Sequence, residues 1–216
     1  MLLLAAYLVF AAVLCTIWYW VSVQRHRRRA KDVAVWIQSA LEGQGHVLGT
    51  HWLSPSRFKI PLRLTCGVLH RAYVLVEMVP TEMPLRWLVN KIRRRQDFLT
   101  LQADLDVPPA FSLHVQNFRW FARSSRRTPR NNSGWQFEQS GPFVVSTRVV
   151  CQKEISAAMA SLAHGNHEFS SIDFQRRSPH FSVTLPLETI APGSPTRAFI
   201  FESMRELASS SSASLF

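Results

Sequence analysis

Between Met1 and Gln24 the chain has no charged side chain, and Leu2 to Val23 (LLLAAYLVFAAVLCTIWYWVSV) is 22 residues of almost unbroken apolar character. At 1.5 Å of rise per residue a helix of that length is about 33 Å long, which matches a hydrocarbon core of about 30 Å. The far end carries Trp18, Tyr19 and Trp20, whose rings favour the headgroup level. It is followed at once by Arg25, His26, Arg27, Arg28, Arg29 and Lys31. Five Lys or Arg residues therefore flank one end of the run and none flanks the other. By the positive-inside rule, the sequence predicts a single span at the cell (inner) membrane, with the N-terminus outside and the C-terminal domain cytoplasmic.

Other readings of the run fit less well. A cleavable signal peptide carries its basic residues before a shorter apolar stretch and a small-residue site after it, and here the order is reversed. A lipoprotein site at Cys15 would require a small residue in front of it, where Leu14 stands. A core helix of a soluble protein is the remaining alternative, but a run apolar on all faces that ends in aromatics and then arginines fits a membrane better than a core.

The charge balance is the next constraint. Lys and Arg number 25 against 14 Asp and Glu, a formal net charge of +11, which points to an anionic partner: a phospholipid surface or a nucleic acid. With 47% hydrophobic residues the chain is not wholly disordered, and 8 Gly and 3 Cys exclude collagen-like and disulfide-framework classes. Outside the span only Cys66 and Cys151 remain, with no CxxC spacing. Two free thiols packed as small apolar groups are expected, with a bridge between them left open.

The rest of the chain alternates short helical and strand patterns. The expected division is a transmembrane helix at 1–24, a basic juxtamembrane stop at 25–31, an α+β domain at 32–208 and a Ser-rich tail at 209–216. After the basic stop, Val33, Ile37, Ala40 and Leu41 have the spacing of a short amphipathic helix ended by Gly43 and Gly45. Period-two alternation then predicts a strand at Phe58 to Leu64, with Pro61 at an edge or beside a bulge, and Val68 to Val79 reads as a longer β-rich run. The alternation also predicts strands at Leu99 to Val107 and Phe111 to Val115, read as an antiparallel pair joined by a short connection. Trp135 to Glu138 and Phe143 to Val149 flank Ser140-Gly141-Pro142 as a hairpin. Helices are expected at Ile155 to Leu162 and from Ser194-Pro195, with a strand at Phe181 to Leu187 between them. The fold class is thus α+β: an N-terminal transmembrane helix, then a mainly antiparallel sheet domain with helices packed on one face. Similar helix, strand, strand, helix orders in the two halves suggest a weak internal duplication.

Two further basic clusters are mixed with aromatics. Pro84 to Arg95 reads as a helix with Leu85, Leu88, Val89 and Ile92 on one side and Arg86, Lys91, Arg93, Arg94 and Arg95 around the rest. Its apolar side is expected to pack on the body, with the terminal cations suiting the helix dipole. Phe118, Arg119, Trp120, Phe121 and Arg123 run into Arg126, Arg127 and Arg130 in a loop-like stretch. The expected membrane-surface or polyanion contacts are therefore Arg25, Arg27, Arg28, Arg29, Lys31, Arg93, Arg94, Arg95, Arg119, Trp120, Arg123, Arg126, Arg127 and Arg130. The partners so implied are the lipid bilayer and its anionic headgroups; the protein partner is not specified. Single-stranded nucleic acid would suit the same composition, but no RRM, KH or zinc-finger pattern accompanies it.

Catalytic signatures are thin. The chain has no G-x-S-x-G elbow, P-loop or G-x-G-x-x-G. His164, His167, Glu168 and Cys151 could bring metal-ligand types together, but without the H-E-x-x-H arrangement that fixes two ligands on one helix face. Asp104 and Asp106 lie two apart on a strand, where ordinary solvent-facing polarity accounts for them. The expectation is a membrane-anchored protein that binds or scaffolds partners at the anionic surface, without catalytic residue, metal or cofactor. The alternatives are a membrane-attached enzyme and a nucleic-acid binder.

Overall fold

The computed structural model describes residues 2–41, 45–65, 69–106, 108–109, 112–117, 136–140, 143–147 and 169–190. The first helix, α1 (Leu2–Ala40), runs for 39 residues without interruption. At 1.5 Å per residue it is about 58 Å long, far more than a bilayer core requires. The sequence suggests a span and a separate amphipathic helix divided by a basic stop, but the structure joins them. No Gly or Pro occurs between Leu2 and Leu41, and Arg, Lys and Gln are good helix formers, so the change in composition at Arg25 is no backbone break.

Ten strands follow among the described residues, in one sheet whose pairings are all antiparallel. They are β1 (Gly45–Val47), β2 (His51–Ser54), β3 (Arg57–Leu64), β4 (Leu69–Glu77) and β5 (Phe98–Leu105) in the first half. The second half supplies β6 (Leu113–Asn117), β7 (Gln136–Ser140), β8 (Phe143–Thr147), β9 (Ser171–Phe174) and β10 (Phe181–Pro186), with a 3-10 turn at Leu187–Ile190. Their order is β1-β3-β4-β5-β10-β9-β6-β8-β7, and β2 also pairs with β3. The arrangement is α+β, as expected.

Local chemistry explains several features of this sheet. β1 and β2 share one edge of β3, pairing with Leu62 to Leu64 and with Arg57 to Lys59 respectively. Pro61 falls in the gap between them. Its carbonyl accepts the Leu48 N–H at 3.0 Å, and its missing N–H lies on the same broken edge, where no ladder bond is lost. Gly45 in β1 is required by contact: a Cβ there would lie 2.5 Å from the Arg63 carbonyl oxygen, a backbone atom that cannot step aside. In β4 the buried positions switch from odd (Leu69) to even (Ala72, Val74, Val76). A bulge between His70 and Tyr73 makes the switch, with Arg71 at φ 46°.

The pairing of β5 differs from the sequence expectation. β5 and β6 are both strands, but they do not form a hairpin with each other: β9 and β10 lie between them, β10 on β5 and β9 on β6. The hairpin β7–β8 matches its expected position. The helices expected at 155–162 and from 194 lie outside the described residues, as do Cys66, Cys151 and the tail.

One face of the sheet supplies the core. Phe58, Ile60, Val74, Val76, Leu99, Leu101, Leu113, Ile172, Phe174, Phe181 and Val183 are buried on alternating positions, and Ala30, Val33, Trp36, Ile37, Ala40 and Leu41 of the α1 end belong to the same cluster. The opposite positions are linked by polar contacts. Tyr73 donates to Gln102, the Thr100 and Thr184 hydroxyls are 3.2 Å apart, and His114 pairs with Asp173. α1 therefore changes solvent along its length: Leu3 to Val21 are largely exposed apolar residues, and Ala30 onward enters the protein interior. Among the described residues, α1 is the one helix long and apolar enough to cross a membrane.

Candidate membrane-proximal site

β4 and β5 are connected through residues 78–97, which contain the second helix, α2 (Pro84–Ile92). Pro84 opens it because the first helical position needs no N–H, so the proline ring costs no bond there. It ends in a Schellman arrangement: the Arg94 N–H reaches the Lys91 carbonyl at 3.2 Å and the Arg95 N–H reaches the Asn90 carbonyl at 3.1 Å. Arg94 occupies the left-handed position of this motif at φ 47°, where glycine is usual.

This connection is fastened to α1 where the apolar run gives way to the basic one. Trp18 donates its indole N–H to the Thr81 carbonyl at 3.0 Å, and its ring meets Trp87 edge to face at 5.5 Å. One turn further along α1, the Ser22 hydroxyl lies 2.6 Å from that of Thr81. Another turn on, His26 Nε2 lies 3.1 Å from the same Thr81 hydroxyl and Nδ1 3.1 Å from the Pro55 carbonyl. With a neutral ring the donor roles are fixed: Ser22 donates to Thr81, Thr81 to His26, and His26 Nδ1–H to Pro55. Ser22 and His26 are buried, and this chain satisfies both. The spacing Trp18, Ser22, His26 is i, i+4, i+8, so a single stripe of α1 makes all these contacts.

Asp97, at the exit of the connection, accepts the Val79 N–H at 2.6 Å and pairs with Arg29 at 3.0 Å. Together these groups border a cleft of about 410 Å³ whose lining includes Trp18, Arg25, His26, Arg28, Trp87 and Asp97. Arg29 already neutralises Asp97, so Arg25 and Arg28 leave the cleft cationic. Two arginines thus stand beside two indoles where the apolar run of α1 ends.

The structure sorts the expected contact residues into three groups. Arg25, Arg28 and Arg29 meet around the cleft, with Arg29 taken up by Asp97. Arg27 and Lys31 are exposed on α1, and Arg93, Arg94 and Arg95 are exposed just beyond α2. Arg119, Trp120, Arg123, Arg126, Arg127 and Arg130 lie outside the described residues. So do His164, His167, Glu168 and Cys151; among the described residues no cluster of metal-ligating side chains occurs. Asp104 accepts from Ser178, and Asp106 pairs with His70. The sequence reading missed Trp18, Ser22, His26, Thr81, Trp87 and Asn90 as one connected set. The signal it held was the polar i, i+4 pair Ser22 and His26 on the same stripe as Trp18.

The orientation of α2 is a correction. Its apolar side was expected against the body, but Leu85 is 78% exposed and Ile92 72%, with Leu88, Val89 and Met83 also exposed. The inward side is formed by Trp87 and by Asn90, which is buried and donates from Nδ2 to the Pro80 carbonyl at 2.8 Å. Lys91 leans over the Trp87 ring at 5.0 Å. No family model matches the chain, and no similar sequence is found among the curated proteins.

Proposed function

We propose that this chain is a single-pass protein of the cell membrane, N-terminus outside, whose cytoplasmic α+β body binds or scaffolds partners at the anionic membrane surface. The observation that supports this reading most is the course of α1. An exposed apolar stretch of bilayer length continues, with no linker, through Arg25 to Lys31 into the core of the body. A body attached in this way stays within reach of the bilayer. Each Lys or Arg near an anionic leaflet contributes about 1 kcal/mol of attraction. The positive-inside asymmetry supports the cytoplasmic assignment.

Two measurements on the full chain test the reading. A reporter fused after Phe216 that is active only in the cytoplasm should give signal, and activity of an exported reporter at the same place would overturn the orientation. In mixed vesicles, energy transfer from the protein's tryptophans to a dansyl acceptor should be stronger on phosphatidylserine than on phosphatidylcholine, and the difference should shrink with salt. Equal transfer to both lipids would remove the electrostatic part.

A further inference from the structure

Building on that reading, we infer that α2 is a second membrane contact: an interfacial helix whose Leu85, Leu88, Val89 and Ile92 face enters the headgroup–acyl boundary of the leaflet from which α1 emerges. The first ground is its orientation. A surface helix of a water-soluble body turns its apolar stripe inward, and here Trp87 and Asn90 face in while the apolar stripe faces out. Reversal places the stripe in water unless something apolar covers it, and several large apolar side chains side by side on one short helix are more than the scattered exposure of ordinary surfaces.

The second ground is depth. The Trp18–Trp87 contact and the three bonds from Trp18, Ser22 and His26 to Thr81 hold the start of α2 beside the end of the apolar run of α1. Trp18 belongs to the aromatic group that marks the interface, so α2 starts at that depth too. The exposed stripe of α2 and the exposed apolar surface of α1 thus lie on neighbouring elements.

The third ground is charge. From Pro84 to Gln96 the chain has five cations, Arg86, Lys91, Arg93, Arg94 and Arg95, and no acidic residue. An apolar face bordered by cations is the composition of helices that lie in anionic interfaces. The same charges disfavour a second copy as the cover, because two such helices face to face would bring ten cations together across an apolar seam. Bilayer lipid answers both the apolar stripe and its basic border.

The test places a nitroxide at 88, 92, 86 or 8, one at a time, in the full chain with Cys15, Cys66 and Cys151 replaced by Ser. The protein is held in nanodiscs of phosphatidylcholine and phosphatidylserine, and relaxation by oxygen, which partitions into lipid, is compared with relaxation by a water-soluble nickel chelate. Labels at 88 and 92 should give an oxygen-to-nickel ratio severalfold higher than the label at 86. Ratios at 88 and 92 equal to that at 86 would put the stripe in water and overturn the inference. Shielding of both labels from both reagents would overturn it in favour of a protein cover. The label at 8 separates the two levels of the argument: a lipid-like ratio there beside a water-like one at 88 defeats this inference alone, and a water-like ratio at 8 defeats the anchored reading itself. Should the cysteine-free chain fail to fold, tryptophan quenching by brominated lipid in the native chain and in L88S/I92S gives the same decision. Retained integration with reduced quenching is expected, and unchanged quenching overturns the inference.

Discussion

α1 and α2 each carry an apolar face, and they place it in opposite surroundings. In the last part of α1 and just after it, Val33, Ile37, Ala40 and Leu41 recur at helical spacing and all are buried. In α2, Leu85, Leu88, Val89 and Ile92 recur in the same way and all are exposed. Periodicity thus reveals that a helix has an apolar side, and its neighbours decide where that side points. For α2 the deciding groups are Asn90, tied to the Pro80 carbonyl, and Trp87, set against Trp18. Together they hold the polar and aromatic side inward.

The largest expected effect comes from placing the same charge on each face. Ile37→Asp puts an unpaired carboxylate where exposure is 0% and should destabilise the body by about 3–5 kcal/mol, seen as loss of a protease-resistant core in detergent. Ile92→Asp should change that resistance by no more than about 0.5 kcal/mol. Equal loss in both variants would mean that α2 is packed against protein after all.

Next in size is the group that sets the α2 orientation. Asn90→Ala removes the buried donor and leaves the Pro80 carbonyl unsatisfied, at a cost of about 1–3 kcal/mol in denaturant unfolding of the solubilised protein. A neutral result would shift the weight of the orientation to Trp87.

Arg94→Gly should act in the other direction. The left-handed position costs a non-glycine residue about 1 kcal/mol, so glycine should stabilise the body by that order while lowering the preference for phosphatidylserine. Stabilisation with unchanged lipid preference would show that Arg94 does not serve the anionic surface.

The smallest effect is expected from Arg29→Ala. Arg29 is 65% exposed, and a pair of this kind is worth under about 1 kcal/mol, fading as salt is raised. A larger, salt-insensitive loss would make the Arg29–Asp97 pair a main fastening of the connection to α1.

Strand existence was easier to read from the chain than strand partnership. Phe58 to Leu64, Leu99 to Leu105 and Phe181 to Leu185 alternate apolar and polar side chains because one face is buried, and each proved to be a strand. The intervention of β9 and β10 between β5 and β6 leaves no local trace, since pairing across some 80 residues is decided by whole-sheet packing. β9 carries no such signal, because Ile172 and Phe174 are its only apolar residues, too few to show a period. The site was half legible. Its cations were visible as clusters, but the hydroxyl, imidazole and indole groups that join α1 to the β4–β5 connection are common residue types whose meaning comes from being brought together.

The unbroken course of α1 has a geometric consequence for the body. Successive residues of an α-helix are turned by about 100° about its axis, so one residue added between Ile17 and Trp18, ahead of every contact that α1 makes with the β4–β5 connection, would swing the body by that angle relative to the preceding apolar run. Four residues would bring it back to within about 40° while lifting it about 6 Å. The compass bearing of the body is therefore written in the residue count of α1 ahead of Trp18. A length change that leaves composition and charge untouched would still turn the outer face of the sheet toward a different neighbour.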